Sequence, residues 1–273
     1  MTFLVIQIPC LNEEKSLPVT LAELPKSLPG VDRIAWQIIN DGSTDRTVEV
    51  ARAHGVEHVV SFTRNKGLAA AFMAGIHNAL AAGADIIVNT DADNQYQAAD
   101  IGKLIAPILA GQADIVIGTR PIDRIEHFSP IKKFLQKLGS YVVRQLSGTT
   151  VQDAPSGFRA ISRDAAKRLF VYNRYTYTLE TIIQAGQQKM RVISVPIRVN
   201  GEMRPSRLIS SIPNYIMRSL AGMGRSYMVY RPFRTFAVLS ALAFVPGALL
   251  LARFLWLYLT GNGLPKDAEK AAA

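Results

Sequence analysis

Residues 90–95 read Thr-Asp-Ala-Asp-Asn-Gln and follow directly on a short apolar run. Two carboxylates two positions apart at a strand end can reach one hard cation if the chain turns there. Mg²⁺ or Mn²⁺ suits such a donor set, because both favour oxygen ligands and keep coordination positions open for phosphate. A cation so held can bridge a diphosphate and neutralise the charge that builds on a leaving nucleoside diphosphate. Gln95 adds a neutral carbonyl as a third donor. The spacing alone also fits a solvated turn or a helix cap leading to Asp100, since Asp is common in turns.

Two further strand ends carry polar segments. The first is Pro9-Cys10-Leu11-Asn12-Glu13-Glu14, where Pro9 closes an apolar run and Asn12 or Glu13 could cap the next helix. The second is Asn40-Asp41-Gly42-Ser43-Thr44-Asp45, where Gly42 permits a tight turn and Ser43 or Thr44 could cap. An Asp in that place can accept from a base N–H or a ribose hydroxyl. Capping and ligand binding each explain either segment taken singly. Their occurrence on successive strands of one sheet favours a nucleotide pocket.

The elements that must position these residues alternate. Strand-like runs at 3–8, 35–39, 57–63, 85–90 and 113–118 are separated by helix-like stretches at 13–28, 44–54, 67–82 and 98–110. That order predicts an α/β fold with a doubly wound, mostly parallel sheet and right-handed crossovers. Ligands bind such sheets outside the strand C-termini, where all three polar segments fall. Beyond residue 120 come an amphipathic stretch at 130–146, a strand at 157–162, helices near 163–170 and 178–188, and a strand at 191–199.

Composition narrows the class. Hydrophobic residues make up 49% of the 273-residue chain, which excludes general disorder. The single cysteine, Cys10, excludes a disulfide framework or a Cys-rich zinc site. His54, His58, His77 and His127 show no ligand spacing. No Gly-x-Gly-x-x-Gly fingerprint or P-loop supports a dinucleotide oxidoreductase. The formal charge is +10, but residues 1–119 carry 8 basic and 13 acidic side chains, and residues 120–273 carry 23 and 8. Two stretches hold the excess, 120–144 at +4 and 198–234 at +6. The second half therefore meets something anionic. No zinc-finger, RNA-recognition or helix-turn-helix signature accompanies the charge, so a lipid surface or a phosphate-bearing ligand is expected rather than nucleic acid.

Residues 236–252 hold no charge, and the apolar run resumes after Arg253 as far as Leu259. As a helix, 235–259 would be roughly 37 Å long, enough to cross a hydrocarbon core of about 30 Å. Arg253 can snorkel, and Trp256 and Tyr258 suit an interface. Arg225, Arg231 and Arg234 place the N-terminal side of the run in the cytoplasm. A buried or re-entrant hairpin broken at Pro246-Gly247 is the alternative. Residues 208–231 mix apolar residues with Arg218 and Arg225, as a helix lying on a membrane surface does. The expected division is a catalytic domain at 1–207, interfacial helices at 208–234, a spanning helix at 235–259 and a polar tail at 260–273. Met1-Thr2-Phe3 enters the first strand without a basic leader, so the catalytic part is expected to face the cytoplasm at the cell membrane.

Taken together, 9–14, 40–45, Arg64-Asn65-Lys66-Gly67 with Ala70 and Gly75, and Asp91 to Gln95 resemble family 2 glycosyltransferases in order and spacing. Asp153-Ala154-Pro155-Ser156-Gly157-Phe158-Arg159, and Val195-Pro196-Ile197 ahead of Arg204 and Arg207, are similar to the dolichyl- or polyprenyl-phosphate mannose or glucose synthase branch. The resemblance spans about 3–234 and implies a GT-A-type, Rossmann-like fold with C-terminal amphipathic and transmembrane helices. It implies that Pro9, Leu11, Glu13, Ile39 and Asp41 line a nucleoside pocket. Asp91, Asp93 and Gln95 would hold Mg²⁺ or Mn²⁺, with the Ala92 backbone beside the donor. Arg120 would face the donor or acceptor phosphates, and Lys132 or Lys133 would sit in a mobile acceptor loop. Asp153 and Ser156 would shape the acceptor side, and Arg204 and Arg207 would close over the diphosphate. Asn40 stands where many relatives have a first Asp. One apolar span stands where many membrane-anchored relatives have two or four, which truncation or a membrane partner subunit would explain; a homo-oligomer is the other assembly expected.

The implied reaction moves a hexose, with inversion, from a GDP- or UDP-linked sugar to a polyprenyl or dolichyl phosphate. A phosphate monoester is largely dianionic at neutral pH, so it needs placement rather than a strong base. Arg120, Lys132, Lys133, Arg204 and Arg207 could place it and the leaving group, since guanidinium–phosphate contacts are strong and directional. The other reading of these cations is attraction of anionic headgroups. Glu180 is either a buried structural carboxylate or an acceptor-side group. Two alternatives stand beside this reaction: a family 2 enzyme with a polysaccharide or glycolipid acceptor, and a catalytically silent membrane-anchored scaffold. Processive relatives show a Gln-x-x-Arg-Trp box, and neither Trp36 nor Trp256 is preceded by one. Intact Asp91, Asp93, Gln95 and Arg120 argue against the scaffold.

Overall fold

The computed structural model describes residues 1–124, 130–172, 177–201 and 212–260. Arg204, Arg207 and the tail beyond Thr260 lie outside the described residues, as does the side chain of Lys132. Seven strands are described: β1 (Phe3–Cys10), β2 (Arg33–Asn40), β3 (His58–Ser61), β4 (Ile86–Asn89), β5 (Ile115–Thr119), β6 (Arg159–Ser162) and β7 (Val192–Pro196). They form one sheet in the order β3-β2-β1-β4-β6-β5-β7. Every neighbouring pair is parallel except those of β6, which runs against both β4 and β5. The helices are α1 (Leu17–Glu23), α2 (Thr47–Ala53), α3 (Leu68–Ala81), α4 (Ile101–Leu109), α5 (Pro130–Ser147), α6 (Arg163–Arg168), α7 (Thr178–Gln187), α8 (Ile212–Tyr230) and α9 (Pro232–Leu259).

Strand β1 is apolar on both faces because it is covered on both: Leu4, Val5, Ile6 and Ile8 are fully buried. Leu17 and Leu21 of α1 and Ile101, Leu104 and Ile105 of α4 close the core against it. Each such side chain contributes roughly 1.5–3 kcal/mol on burial. The strand continues through Pro9 to Cys10 rather than stopping at Ile8. Pairing with β4 ends at Gln7, so the missing N–H of Pro9 falls where β1 has one paired neighbour only. The helix expected over 13–28 is confined to Leu17–Glu23. Pro18 fits the first turn, and Pro25 forces Leu24 into an extended conformation that ends the helix.

The chain steps from β1 outward to β2 and β3, then returns to place β4 on the other side of β1. That reversal is a switch point, and its crevice opens beyond the C-terminal ends of β1 and β4. The segments 9–14 and 91–95 sit at those two ends. Because β6 is reversed, its N-terminal end arrives at the same edge of the sheet, bringing Ser156, Gly157 and Phe158 alongside.

The chain divides into two compact units, residues 1–226 and 227–273. In the second, α9 is one continuous helix through Pro246, not a hairpin. Its most apolar 18-residue window has a mean hydropathy of 2.1, and none of the helix's residues is buried, so it is long and apolar enough to cross a membrane.

Gly42 turns the chain after β2 at φ +76, and a Cβ there would lie 2.6–2.9 Å from backbone atoms of Arg64 and Asn65. Gly55 has nearly the same φ, +78, with open space around it. Gly55→Ala is expected to cost about 1 kcal/mol from backbone strain alone. Gly42→Ala is expected to cost about 3 kcal/mol, because the clash is with backbone that cannot rotate away. Denaturation midpoints of the two variants in detergent check the difference.

Candidate active site

Residues 91–96 alternate in burial. Asp91, Asp93 and Gln95 keep partial access to solvent, while Ala92, Asn94 and Tyr96 are buried. The three oxygen donors named from sequence are therefore the accessible members of the loop. Its backbone is fixed from below. Thr20 Oγ1 donates to the Ala92 carbonyl at 3.0 Å, and Asn94, at φ 55, donates through Nδ2 to Glu23 Oε1 at 3.0 Å. The Gln95 N–H donates to Asp93 Oδ1 at 3.2 Å. Among the described residues no group of three or more His, Cys, Asp and Glu converges. Two carboxylates and an amide are too few for an all-protein cage. They fit a small hard cation that completes its shell with water and phosphate.

Asp91 lies against Gly157. A Cβ at 157 would meet Asp91 Oδ1 and Oδ2 at 3.2 and 3.3 Å and Tyr177 Oη at 3.1 Å. Both backbone groups of Gly157 are held: its N–H donates to Tyr96 Oη at 3.1 Å, and its carbonyl accepts from Asn89 Nδ2 at 3.0 Å. Asn89 also donates to Tyr177 Oη at 2.8 Å and accepts from Gln7 Nε2 at 3.0 Å. Phe72 stacks on Tyr177 at 3.8 Å, and Phe158 stacks on Tyr96 at 5.0 Å. Burial, with the Asp91 charge adding to it, raises the pKa of both tyrosines, so both stay protonated. None of Gln7, Asn89, Tyr96 and Tyr177 was singled out from sequence. Gln7 and Asn89 were visible as polar residues inside otherwise apolar central strands.

The loops after β1 and β2 are stitched to each other, besides the bond that Asp45 Oδ1 accepts from Thr47 N at the start of α2, 3.0 Å. Asn12 Oδ1 accepts from Thr44 N at 2.8 Å, and Asn12 N donates to Ser43 Oγ at 2.9 Å. Glu13 N donates to Thr47 Oγ1 at 2.8 Å, and Glu14 N to Asp45 Oδ2 at 3.1 Å. Asp41 is buried, and its two oxygens accept from Lys66 N at 2.6 Å and Gly67 N at 2.9 Å. Pro9, Leu11, Glu13, Ile39 and Asp41 thus all lie on segments that end β1 and β2, and a third loop is tied to them by Asp41.

Arg120, directly after β5, is buried and paired with Asp153, through Nε at 2.7 Å and Nη2 at 3.0 Å. Burial alone would lower the pKa of the guanidinium, but Asp153, then Tyr96, outweigh it, and the net direction is up. Asp153 is wholly buried and acts by holding Arg120. Ser156 is also fully buried, and its Oγ has no hydrogen-bond partner among the described residues. Arg159, 1% exposed, bonds Thr181 Oγ1 at 2.7 Å and the carbonyls of Thr178 and Ser156. Burial pulls its pKa down. Lys133 Nζ donates to the Asp123 carbonyl at 2.9 Å. Glu180 is buried and accepts from Tyr172 N at 2.8 Å, a structural contact.

The segment after β7 is laced to the 91–96 loop and the turn that follows it. Val199 bridges Tyr96, Asn200 N donates to the Gln95 carbonyl at 2.8 Å, and Arg198 pairs with the buried Asp100 at 2.9 Å.

Residues 5–170 match the glycosyl transferase family 2 model. The chain belongs to that family and is a glycosyltransferase of GT-A-type α/β fold. It is 32% identical over 213 residues to UDP-N-acetylglucosamine--dolichyl-phosphate N-acetylglucosaminyltransferase of Methanococcus voltae, covering 70% of this chain and 83% of that one. It is 28% identical over 216 residues to undecaprenyl-phosphate mannosyltransferase of Micrococcus luteus, covering 75% and 87%. Its fold is similar to glucosyl-3-phosphoglycerate synthase of Mycobacterium tuberculosis, solved with Mn²⁺, UDP and glucosyl-3-phosphoglycerate. That match has a TM-score of 0.64 and 20% identity over 84% of this chain and 80% of that one.

Two outcomes follow from this geometry. Gly157→Ala is expected to lower sugar transfer about tenfold or more, by displacing Asp91, while moving the melting temperature little. Measuring both on one preparation separates misplacement from unfolding. The second outcome concerns acid. Burial would raise the pKa of Asp100, but hydrogen bonds from Arg198 and Lys103 outweigh it and bring it from 3.8 down to about 2. A depressed folded value means stabilisation complete above pH ~4 and lost as pH falls through about 2. Asp100→Asn is expected to remove that part of the decline, giving a flatter stability curve between those limits in denaturant titrations.

Proposed function

We propose that the chain transfers a hexose, with inversion, from a GDP- or UDP-linked sugar to a polyprenyl or dolichyl monophosphate, at the cytoplasmic face of the cell membrane. The observation that carries this is the accessible set Asp91, Asp93 and Gln95 at the switch point of the sheet. The two lipid-phosphate glycosyltransferases to which the chain is similar support the acceptor, and the apolar helix α9 supports a membrane site. On this reading 1–207 is the catalytic domain, 208–234 is interfacial and 235–259 spans the bilayer.

Asp91, Asp93 and the Gln95 amide fit Mg²⁺ or Mn²⁺, which when bound neutralises charge on the diphosphate leaving group. Pro9, Leu11 and Ile39 would pack on the nucleoside, with Glu13 and Asp41 accepting from it. Each Asp41 oxygen already accepts one backbone N–H, and a carboxylate has about four acceptor positions, so capacity remains. Asp153 fixes the plane of Arg120 through Nε and Nη2, and the guanidinium is near enough to Asp91 for that charge to act on it. Lys132, Lys133, Arg204 and Arg207 would hold the phosphates. The acceptor dianion attacks without a general base, so orientation supplies most of the rate.

The full chain in membranes, given a panel of nucleotide sugars with undecaprenyl or dolichyl phosphate and Mn²⁺, is expected to yield one lipid-linked sugar. Asp93→Ala and Arg204→Ala are each expected to lower turnover on the order of 100-fold. Near-normal transfer by Asp93→Ala at saturating Mn²⁺ would sink the metal role. Sugar found on a polysaccharide or glycolipid instead would sink the acceptor.

A further inference from the structure

The main sheet is not the only pairing beside Asp91. Residues 95–97 run antiparallel to 198–200, the stretch after β7, as a two-stranded clip centred on the bridge between Tyr96 and Val199. Asn200 N donates to the Gln95 carbonyl at 2.8 Å, and Gln97 N donates to the Arg198 carbonyl at 3.4 Å. Successive side chains of an extended chain point to opposite faces. Tyr96 goes inward, 4% exposed, with its Oη on Gly157 N, and its neighbour Gln95 is turned to the accessible side. A slip of the clip by one residue would exchange the two.

One bridge with two backbone bonds is too short to hold a register by itself. Each end of the clip has its own lock. At one end Arg198 N donates to the buried Asp100 at 2.7 Å. At the other, Asn200 Nδ2 donates to the Asn94 carbonyl at 3.0 Å. Asn200 thus grips two successive carbonyls, that of 94 with its side chain and that of 95 with its backbone. Asn94 stands at φ 55, a conformation that costs energy in any residue but glycine, so its peptide has to be held in place. Helix α1 holds the loop from the other side, through Thr20 on the Ala92 carbonyl and Glu23 on the Asn94 side chain.

We propose that Asn200 is a positioning residue for the cation site, fixing the carbonyls of Asn94 and Gln95 and with them the register that turns the Gln95 amide outward. This rests on the reading of Asp91, Asp93 and Gln95 as the donors to that cation. A loop locked in this register offers its third oxygen without having to order itself first. Loosening it leaves the two carboxylates to bind the cation with less help. The loss therefore falls on cation affinity, while the loaded enzyme still turns over.

The test counts free Mn²⁺ by electron paramagnetic resonance over the full chain in detergent, with saturating UDP or GDP and no acceptor. Asn200→Ala is expected to weaken Mn²⁺ binding about fivefold. In transfer assays it should raise the Mn²⁺ concentration for half-maximal rate by the same factor, with the rate at saturating Mn²⁺ within about twofold of the unaltered chain. Arg191→Ala removes an exposed ion pair with Asp114 at the opposite end of β7, and it controls for general loosening. It is expected to leave Mn²⁺ binding unchanged. Binding by Asn200→Ala as tight as that of the unaltered chain, alongside loss of binding in Asp93→Ala, would overturn the role of Asn200 and leave the cation site standing. Undiminished binding by Asp93→Ala would overturn the cation site and this role with it. Equal weakening by Asn200→Ala and Arg191→Ala would also overturn the role, because the effect would then be one of stability and not of position.

Discussion

A Cβ at position 157 would press on both Asp91 oxygens and on Tyr177 Oη at 3.1–3.3 Å, contacts tighter than side chains ordinarily tolerate. The rest of the site depends on that close approach. It requires the strand that follows Gly157 to enter the sheet at the edge where β4 leaves it, and a parallel strand would enter at the opposite edge. Reversing β6 between β4 and β5 is the solution the fold adopts. The backbone of Gly157 is then gripped on both sides, by Tyr96 Oη on its N–H and by Asn89 on its carbonyl. Because the same Asn89 reaches Gln7 and Tyr177, the central strand β1 and helix α7 are linked to one glycine. Buried polar groups are costly unless paired, so this network defines one register for the reversed strand.

The donor side obeys a similar logic with different chemistry. Polar residues at the ends of β1 and β2 bond across the gap between the two loops, and Asp41 draws in the loop at Lys66–Gly67. Three loops that would each cost entropy to order are ordered by one another. Glycine at 42 is the condition for this, since the chain must pass Arg64 and Asn65 closer than any side chain permits. A pocket preformed in this way binds without having to organise itself first.

The strand–helix alternation, the switch-point location of the polar segments and the apolar C-terminal helix were all legible as periodicity and position. The direction of β6 was not, because a four-residue strand shows the same pattern read either way. Its consequence, the contact of Gly157 with Asp91, was therefore hidden, although the polar Gln7 and Asn89 inside apolar strands marked where a network had to be. Charge was legible as a count but not as a pairing. Arg120 and Arg198 add to the basic excess, yet the fold sets them on Asp153 and Asp100, two of the most deeply buried acids in the chain. Periodicity likewise identified α5 as amphipathic without saying which side faces inward. The neighbours decide that, and here the tight approach of α7 and the 153–154 turn buries Ser140 and leaves Phe134 exposed.

Removing those two internal pairs from the tally changes what the positive half of the chain means. Arg120 and Arg198 drop out as free cations, and each becomes a brace, one behind the Asp91 loop and the other behind the segment leading to Arg204. Of the α5 cations, Lys133 and Lys137 meet, among the described residues, the carbonyl and carboxylate of one exposed residue, Asp123. The remaining excess is thus concentrated on α5 and on the stretch running into α9. Charge paired inside the domain positions the site, and charge left outside it is charge with an external counterpart. In the proposed reaction both substrates carry phosphate, so that counterpart comes from what the enzyme binds and not from its own acids.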